Sequence, residues 1–263
     1  MANPSRPVAL VTGASSGIGV ELAREAAKDG YDLVLVARRR DPMQALATEL
    51  NTAGAEITVI SADLGKAGGA AALMEIVKSR GLEIDALINN AGLGDNAPFA
   101  EADPERISSM LQVNIVALTE LTRLVLPGMV ARRRGRVMLL ASTAGFVPGP
   151  LMAVYYATKA YVLSFGQAIA YELRGTGVTV TTLCPGATAT EFAGTAGAGD
   201  VPLFNGIFPV MQAADVARIG YKGFKTGRPL IITGMINKMM AISGRLSPAF
   251  MAVRIAGRMN SKH

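Results

Sequence analysis

Short runs of apolar residues alternate with amphipathic stretches along the whole chain. Uninterrupted apolar runs are typical of parallel strands buried on both faces, and amphipathic stretches with helical spacing separate them. Such alternation predicts an α/β fold with a doubly wound parallel sheet of about seven strands and helices on both faces. The predicted strands are 7–12, 31–37, 56–61, 84–88, 137–141, 178–183 and 230–233. The predicted helices include one ending at Gly30 and others at 41–53, 67–79, about 104–131 and 212–225.

A glycine-rich turn separates the first predicted strand from the first helix. In that setting, glycines let backbone N–H groups approach a pyrophosphate, and the helix N-terminus adds a partial positive charge. The turn therefore predicts a dinucleotide site in a single-domain Rossmann fold, rather than an ordinary tight turn. Its predicted contacts are Gly13, Ser15, Ser16, Gly17, Ile18 and Gly19.

The end of the second strand predicts which dinucleotide is bound. An acidic residue about 20 positions after the glycines bonds the ribose 2′-hydroxyl of NAD, but here that place holds Ala37, followed by arginines at 38–40. A guanidinium matches a phosphate, so NADP(H) is predicted, with Arg38 as the main contact and Arg39 and the turn serines in support. The alternative is a solvated arginine loop, and the nearby Asp41 weakens the NADP(H) prediction.

The amino-acid composition limits the kinds of ligand and the kinds of catalytic residue that the protein can use. The 263 residues are 50% hydrophobic, which predicts one large domain at 1–234 followed by a basic tail at 235–263. A net charge of +6 suits anionic ligands, while the absence of Trp and the low aromatic content argue against nucleic-acid binding. The only histidine is His263 and the only cysteine is Cys184, interpreted as an inert buried thiol. No metal site is predicted, and proton transfer is left to carboxylates, lysine or tyrosine.

Tyr155 and Lys159 form the candidate proton-transfer pair. Residues four apart lie on the same face of a helix. A fixed ammonium beside a phenol favours the phenolate, so we expect Lys159 to lower the pKa of Tyr155. Tyr156 lies about 100° round the helix and is interpreted as packing. A bare Tyr-x-x-x-Lys pattern is also compatible with an ordinary helix surface. Whether this pair is catalytic therefore depends on the motifs found before and after it in the sequence.

Several motifs together resemble the short-chain dehydrogenase/reductase family over about residues 7–190. They are the Thr-Gly-x-x-x-Gly-x-Gly turn, Asn-Asn-Ala-Gly at 89–92, Ser142 placed 13 positions before Tyr155, and Pro-Gly-x-x-x-Thr from Pro185. The resemblance implies that Ser142, Tyr155 and Lys159 are catalytic and that Asn114 orders a water behind Lys159. It also implies cofactor contacts from Tyr155, Lys159, Asp63, Leu64, Asn90, Ala91, Gly92, Pro185, Gly186, Thr188 and Thr190. The alternative for Asn114 is a solvent-facing residue.

The function implied is reduction of a carbonyl, or oxidation of a secondary alcohol, on a small-molecule substrate with NADP(H). Tyr155 would act as general acid or base, Ser142 would stabilise the developing charge, and Lys159 would hold the nicotinamide ribose. A 3-oxoacyl-thioester reductase shares every motif and stays open. So does a non-catalytic NADP(H)-sensing protein, although the Ser-Tyr-Lys set is whole. Relatives are commonly dimers or tetramers, so a homo-oligomer is expected.

Two segments are predicted to border the substrate. Residues 191–210 combine glycines with apolar side chains, including 207–210, and predict either a mobile flap over a lipophilic substrate or ordinary core packing. The tail's Met239, Ile242, Leu246 and Phe250 could line one face of broken helices. It is interpreted as a lid, an oligomer contact or, least favoured, a membrane-surface helix.

The longest uncharged run does not predict a membrane span. It covers 137–158 and is interrupted at 148–150 by Pro-Gly-Pro, so it is interpreted as strand, loop and helix start. With no secretory signal recognised near the N-terminus, the protein is expected to be cytoplasmic. The arginine-rich stretch 132–136 is interpreted as a solvated turn.

Overall fold

A parallel sheet organises the chain in the computed structural model, which describes residues 6–52, 54–205 and 210–261. The strands are β1 (Val8–Thr12), β2 (Asp32–Ala37), β3 (Ile57–Ser61), β4 (Ile84–Asn89), β5 (Gly135–Leu140), β6 (Val178–Cys184), the short pair β7 (Thr188–Ala189) and β8 (Met211–Gln212), and β9 (Leu230–Ile232). Seven of them form one parallel sheet in the order β3-β2-β1-β4-β5-β6-β9. The predicted doubly wound sheet is confirmed.

The strand order reverses beside β1, and that reversal sets the position of the ligand site. The chain first winds outward from β1 through β2 to β3 and then returns to add β4 on the other side of β1. Crossover connections above and below such a reversal diverge, which leaves a crevice at the carboxyl ends of the strands. The glycine-rich turn follows β1, and Asn-Asn-Ala-Gly follows β4, so both reach this crevice.

Helices cover both faces of the sheet. They are α1 (Gly17–Lys28), α2 (Arg40–Thr52), α3 (Gly69–Ser79), α4 (Pro104–Leu111), α5 (Leu118–Ala131), α6 (Ala153–Glu172), α7 (Phe192–Thr195), α8 (Pro202–Asn205), α9 (Ala213–Lys225), α10 (Met235–Leu246) and α11 (Ala249–Asn260). Alternate β1 residues face opposite layers: Leu10 packs with α3, α5 and α6, whereas Ala9 and Val11 pack with α1, α2 and α9. Burial on both faces explains the unbroken apolar runs.

The long helix predicted at about 104–131 is interrupted. A π-helical segment, Gln112–Ala117, separates α4 from α5. Periodicity does not detect this interruption, because the extra residue per turn is absorbed locally. The whole helical stretch has the length and apolar composition of a membrane span, but its residues Met110, Leu121 and Met129 are buried in the core.

The arginine-rich stretch 132–136 is only partly a turn, because β5 already begins at Gly135. Arg132 pairs with Glu83, and Arg134 lies 3.0 Å from the Asp85 carboxylate. Its last member, Arg136, donates to the Tyr31 hydroxyl at 3.1 Å. The interpretation as a solvated turn was therefore wrong in part. These arginines contact residues at or just before the amino-terminal ends of β4 and β2.

Candidate active site

A cleft of about 850 Å³ opens above the carboxyl ends of the central strands. With two exceptions, every predicted site residue lines it, and those exceptions, Gly19 and Asn114, lie behind the wall. Each of them nevertheless makes a contact that shapes the cleft. The residues predicted from the sequence therefore coincide with a well-formed cleft, as expected for a ligand site.

The glycines of the turn after β1 have separate physical roles. Gly13 and Gly17 have positive φ angles of 66° and 58°, a region that side chains disfavour. Gly19 is needed for space, since a Cβ there would lie 2.2 Å from the Gly13 carbonyl oxygen. The N-cap residue of α1, Ser16, makes no side-chain capping bond, and the first turn of α1 carries no acidic residue. The start of α1, which lines the cleft, therefore carries neither a side-chain cap from Ser16 nor an acidic side chain in its first turn.

Asn90 fastens the end of β4 to the glycine-rich turn. Its Nδ2 donates to the Thr12 carbonyl at 2.9 Å and to the Gly13 carbonyl at 3.1 Å. In return, the Thr12 hydroxyl accepts from the backbone N–H groups of Asn90 and Ala91, each at 3.0 Å. These bonds hold the two strand ends together at the strand-order reversal. The glycine-rich turn and the end of β4 together are called here the glycine-rich cradle. A dinucleotide fits the glycine-rich cradle, because the turn offers backbone donors and carries no carboxylate.

The two arginines at the end of β2 have different surroundings. Arg38 is exposed, lines the cleft and has no ion-pair partner among the described residues. Arg39 instead donates to Glu191 at 2.7 Å and to the Ser15 hydroxyl at 3.5 Å. Asp41, the residue that weakened the NADP(H) prediction, lies in the first turn of α2 outside the cleft lining. Of the two arginines, Arg38 is therefore the one without an ion pair to a described residue.

Ser142, Tyr155 and Lys159 meet at the centre of the cleft. Ser142 follows β5, where its hydroxyl donates to the Pro185 carbonyl at 3.3 Å and accepts from the Ala144 N–H at 3.1 Å. Tyr155 and Lys159 are one turn apart on α6, and the Lys159 Nζ lies 5.7 Å from the Tyr155 ring centroid. The same Nζ donates to the Leu140 carbonyl at 2.8 Å. All three side chains line one wall.

Burial controls the ionisation of this group. Desolvation raises the pKa of Tyr155 above its usual value, and contact with the Ser142 hydroxyl opposes that shift only in part. Desolvation also lowers the pKa of Lys159 to about 8, against an opposing influence of Cys184. The expectation that Lys159 lowers the Tyr155 pKa is therefore wrong for this structure. The reason is that desolvation of the phenol is the largest influence on its pKa.

Asn114 joins the π-helical segment to α6. Its Oδ1 accepts from the Leu93 N–H at 2.8 Å, and its Nδ2 donates to the Leu93 carbonyl at 2.9 Å and to the Thr158 hydroxyl at 3.0 Å. It is 1% exposed, so the solvent-facing alternative was wrong. Thr158 in turn donates to the Tyr155 carbonyl at 2.7 Å. Sequence reasoning missed Thr158, although it lies directly before Lys159.

The sequence analysis also missed a polar contact behind the cleft. Tyr156 is buried as predicted, but its hydroxyl donates to Oδ1 of Asn260 at 3.2 Å. Asn260 donates to the Pro150 carbonyl at 3.0 Å, and its own carbonyl accepts from Asn96 Nδ2 at 2.9 Å. The pairing spans 104 positions, so no local signal marks it.

Residues 191–205, the described part of the predicted flap before its gap, border the cleft. The Phe192 ring lies 5.2 Å from the Tyr155 ring, and both Leu203 and Phe204 line the cleft. Ala198 and Val201 are buried beneath. The segment therefore both packs on the core and walls the site; its mobility stays a prediction, and residues 207–209 lie outside the described residues.

The tail forms the facing wall of the cleft. Helices α10 and α11 contribute Met240, Ala241, Gly244, Ala256 and Met259 to its lining. This placement agrees with the lid interpretation of the tail. Cys184, by contrast, stays inside the sheet, where burial raises the pKa of its thiol to about 12.

Comparison with known families identifies a single match over most of the chain. A family model described as short chain dehydrogenase matches residues 7–200. Among curated proteins, the ketoacyl reductase HetN of Nostoc sp. is 33% identical over 243 residues, covering 91% of this chain and 84% of the relative. Human very-long-chain 3-oxoacyl-CoA reductase is 35% identical over 192 residues, covering 70% of this chain but only 60% of the relative.

Solved structures agree with the fold. A short-chain dehydrogenase from Sphingobium yanoikuyae in complex with NADPH has a TM-score of 0.79 and 33% identity, covering 90% of this chain and 92% of that one. A bulky-bulky ketone specific alcohol dehydrogenase from Comamonas testosteroni has a TM-score of 0.77 and 30% identity, covering 91% and 93%. Both alignments cover about nine-tenths of this chain, so they include much of its C-terminal half as well as the glycine-rich turn.

Proposed function

Because the chain belongs to the short-chain dehydrogenase family, we propose that it is an NADP(H)-dependent oxidoreductase that interconverts a carbonyl and a secondary alcohol on a lipophilic substrate. The family as a whole consists of oxidoreductases that use NAD(P)(H). The observation that carries the proposal is the meeting of Ser142 and Tyr155 at one wall of a cleft that also contains the glycine-rich cradle.

The chain's own residues supply the acid chemistry. A raised pKa keeps the Tyr155 phenol protonated at neutral pH, so it has a proton to donate to a carbonyl oxygen that gains charge. Ser142 would donate a hydrogen bond to the same oxygen and stabilise that charge. When bound, the reduced nicotinamide supplies the hydride to the carbonyl carbon. The product is a secondary alcohol, and the Lys159 cation favours the phenolate left behind.

The charge at the end of β2 supports NADP(H) over NAD(H). Arg38 is an exposed cation in the cleft without an ion-pair partner among the described residues, and neither it nor Ala37 offers a carboxylate for a ribose hydroxyl. Because Arg39 already pairs with Glu191, Arg38 would carry most of the phosphate contact. The binding of NADPH by the Sphingobium relative supports the same assignment.

The walls of the cleft support a lipophilic substrate. Phe192 lies beside the Tyr155 ring, and the cleft lining also includes Leu203, Phe204, Met240 and further apolar residues from α11. Water is poorly retained by such walls, so a substrate with a large apolar body gains the most by entering. The Comamonas relative, named for ketones with two bulky substituents, is consistent with a wide apolar site.

A 3-oxoacyl-thioester reductase is the second candidate. Two of the reported relatives are named for 3-oxoacyl or ketoacyl reduction, and the carbonyl chemistry is identical. However, this chain spans only about three-fifths of the human relative. A non-catalytic NADP(H)-binding protein is the third candidate, and the complete Ser142, Tyr155 and Lys159 set argues against it.

One assay separates these candidates. Oxidation of NADPH would be followed at its absorbance with free lipophilic ketones, 3-oxoacyl thioesters and small water-soluble ketones at matched concentration. Turnover of bulky free ketones with NADPH, and weak turnover with NADH, is the expected result. A strong preference for thioesters would select the second candidate. Tight NADPH binding without turnover of any substrate would select the third.

We also propose that the protein is a cytoplasmic homo-oligomer. Apolar side chains remain exposed on the outer faces of α5 and α6, among them Leu124, Val130 and Tyr161. A second copy would cover them. Light scattering at several concentrations tests this, and a monomer at all of them would contradict it.

A further inference from the structure

The outer surface of α10 and α11, called here the tail face, has an unusual distribution of side chains. Small residues point inward: Ala241, Ala252 and Ala256 are buried. A Cβ on Gly244 would lie only 2.5 Å from Val147, so the helix packs closely on the body. The large apolar side chains point outward instead, namely Met235, Ile236, Met239, Ile242, Leu246, Phe250, Met251, Val253 and Ile255.

An ordinary surface helix does the reverse, burying its large apolar residues and exposing polar ones. Here Leu246 is 80% exposed and Phe250 66% exposed. The tail face carries nine of the seventeen large apolar residues that are exposed in the described part of the chain. So many exposed large apolar residues on two consecutive helices mark an interaction surface rather than scattered surface residues.

The charges on the tail face are all of one sign. Lys238, Arg245, Arg254 and Arg258 are exposed, and none forms an ion pair with a described residue. The sequence contains no acidic residue after Asp215. Large apolar side chains interleaved with cations are the composition of helices that lie in the plane of a membrane interface.

Charge decides between the two obvious occupants of the tail face. A second copy docked face to face would bring the same four cations against one another with no carboxylate between them, which opposes association. Anionic lipid headgroups complement those cations, while the acyl region accepts side chains such as Leu246 and Phe250. We propose that the tail face docks on an anionic lipid surface.

Docking there would bring the cleft to the membrane. The inner surfaces of α10 and α11 line the cleft, and Ile255 is both part of that lining and more than half exposed, so it lies at the rim. A lipophilic substrate would then enter from the bilayer, a consequence that rests on the proposed function. Binding to lipid itself does not depend on turnover.

Vesicle flotation of the full chain tests the proposal. Phosphatidylcholine vesicles are compared with vesicles that also contain phosphatidylglycerol, each at low and high salt. Binding is expected to the mixed vesicles, to weaken with salt, and to be weak on phosphatidylcholine alone. Absence of binding to the mixed vesicles, or equal binding to both compositions, would overturn the proposal.

Matched variants locate the surface. Phe250→Glu and Leu246→Glu are expected to lower the bound fraction on mixed vesicles at least about tenfold, since each places an acid against anionic lipid. Phe99→Glu is the control, because Phe99 lies outside the tail and is 67% exposed. It should bind as wild type does. Equal losses in all three variants would overturn the proposal, as would a wild-type dimer that Phe250→Glu dissociates while vesicles bind neither form.

Turnover of a small water-soluble ketone separates this proposal from the proposed function. Leu246 and Phe250 lie outside the cleft lining, so their variants should keep that activity. Vesicle binding without any turnover would support the lipid surface and contradict the enzyme. Turnover without vesicle binding would support the proposed enzyme and contradict the lipid surface.

Discussion

The hydroxyl of Tyr156 donates a hydrogen bond to Oδ1 of Asn260 at 3.2 Å, which links the last helix to the residue beside Tyr155. Asn260 is fully buried, and its amide also holds the Pro150 carbonyl. This link anchors α11, and α11 forms part of the cleft wall. We infer that Asn260 is a positioning residue for the substrate side of the site.

Asn260→Ala should therefore loosen the tail. It leaves the buried Tyr156 hydroxyl and the Pro150 carbonyl without partners, and we expect a loss of roughly 1–3 kcal/mol in the free energy of unfolding. KM for a bulky ketone should rise, while kcat for a small ketone should change little. Urea unfolding and a two-substrate kinetic comparison measure both effects.

Tyr156→Phe and Tyr161→Phe make a matched pair for the same link. Both remove one hydroxyl from α6, but the Tyr161 hydroxyl bonds to the Thr119 hydroxyl at the surface, whereas the Tyr156 hydroxyl is buried. Tyr156→Phe should raise KM for the bulky ketone as Asn260→Ala does, and Tyr161→Phe should cost within about 0.5 kcal/mol. Equal effects of the two would contradict a positioning role for Asn260.

Tyr155→Phe should abolish reduction with the fold intact. The phenol is the proton donor in the proposed reaction, and loss of a general acid costs at least about 100-fold in kcat. NADPH binding, followed by fluorescence titration, should persist because the glycine-rich cradle is untouched. The exposed Tyr171→Phe serves as control and should keep full activity. Undiminished turnover in Tyr155→Phe would rule out the proposed mechanism.

Arg38→Ala should reduce the preference for NADPH. Loss of a charged hydrogen bond to a phosphate corresponds to about a 10- to 100-fold fall in kcat/KM with NADPH. The value with NADH should stay unchanged, since a hydroxyl gains little from a guanidinium. Arg40→Ala, at the first residue of α2 and outside the cleft lining, is the control. Equal use of the two nucleotides by the wild type would contradict the role given to Arg38.

Lys159 should give stability a distinct pH dependence. Burial lowers its pKa in the folded protein from 10.5 to about 8, so the native state loses this proton at lower pH than the unfolded chain does. Between those values the unfolded state binds more protons, and the free energy of unfolding rises with pH. Relative to Lys159→Met, wild-type stability should therefore rise by a few kcal/mol at most across that window.

Denaturant unfolding of both proteins at several pH values measures this difference. The comparison is made below about pH 9, because the raised pKa values of Tyr155 and Cys184 act in the opposite sense above it and Lys159 itself influences the Cys184 pKa. A constant difference across the window would show that the Lys159 ammonium is not desolvated in the fold.

Much of this protein is determined by local sequence. Apolar runs such as β1 predict parallel strands because both faces of those strands are buried, and the glycine spacing after β1 predicts the cradle because backbone φ angles and Cβ volumes are local properties. The assignment of Arg38 to the cleft rests on the same kind of short-range relationship. So does the pairing of Tyr155 with Lys159 on one helix face.

Other features depend on contacts that only the folded chain makes. The Tyr155 pKa moves opposite to the expected direction because desolvation is a property of the assembled cleft. Asn114 forms its bonds within a π-helical segment that periodicity does not reveal. The Tyr156–Asn260 link and the outward-facing apolar residues of the tail arise only when α10 and α11 fold back on the body. Hydrophobic pattern predicts which residues share a helix face, but tertiary packing alone decides which way that face points.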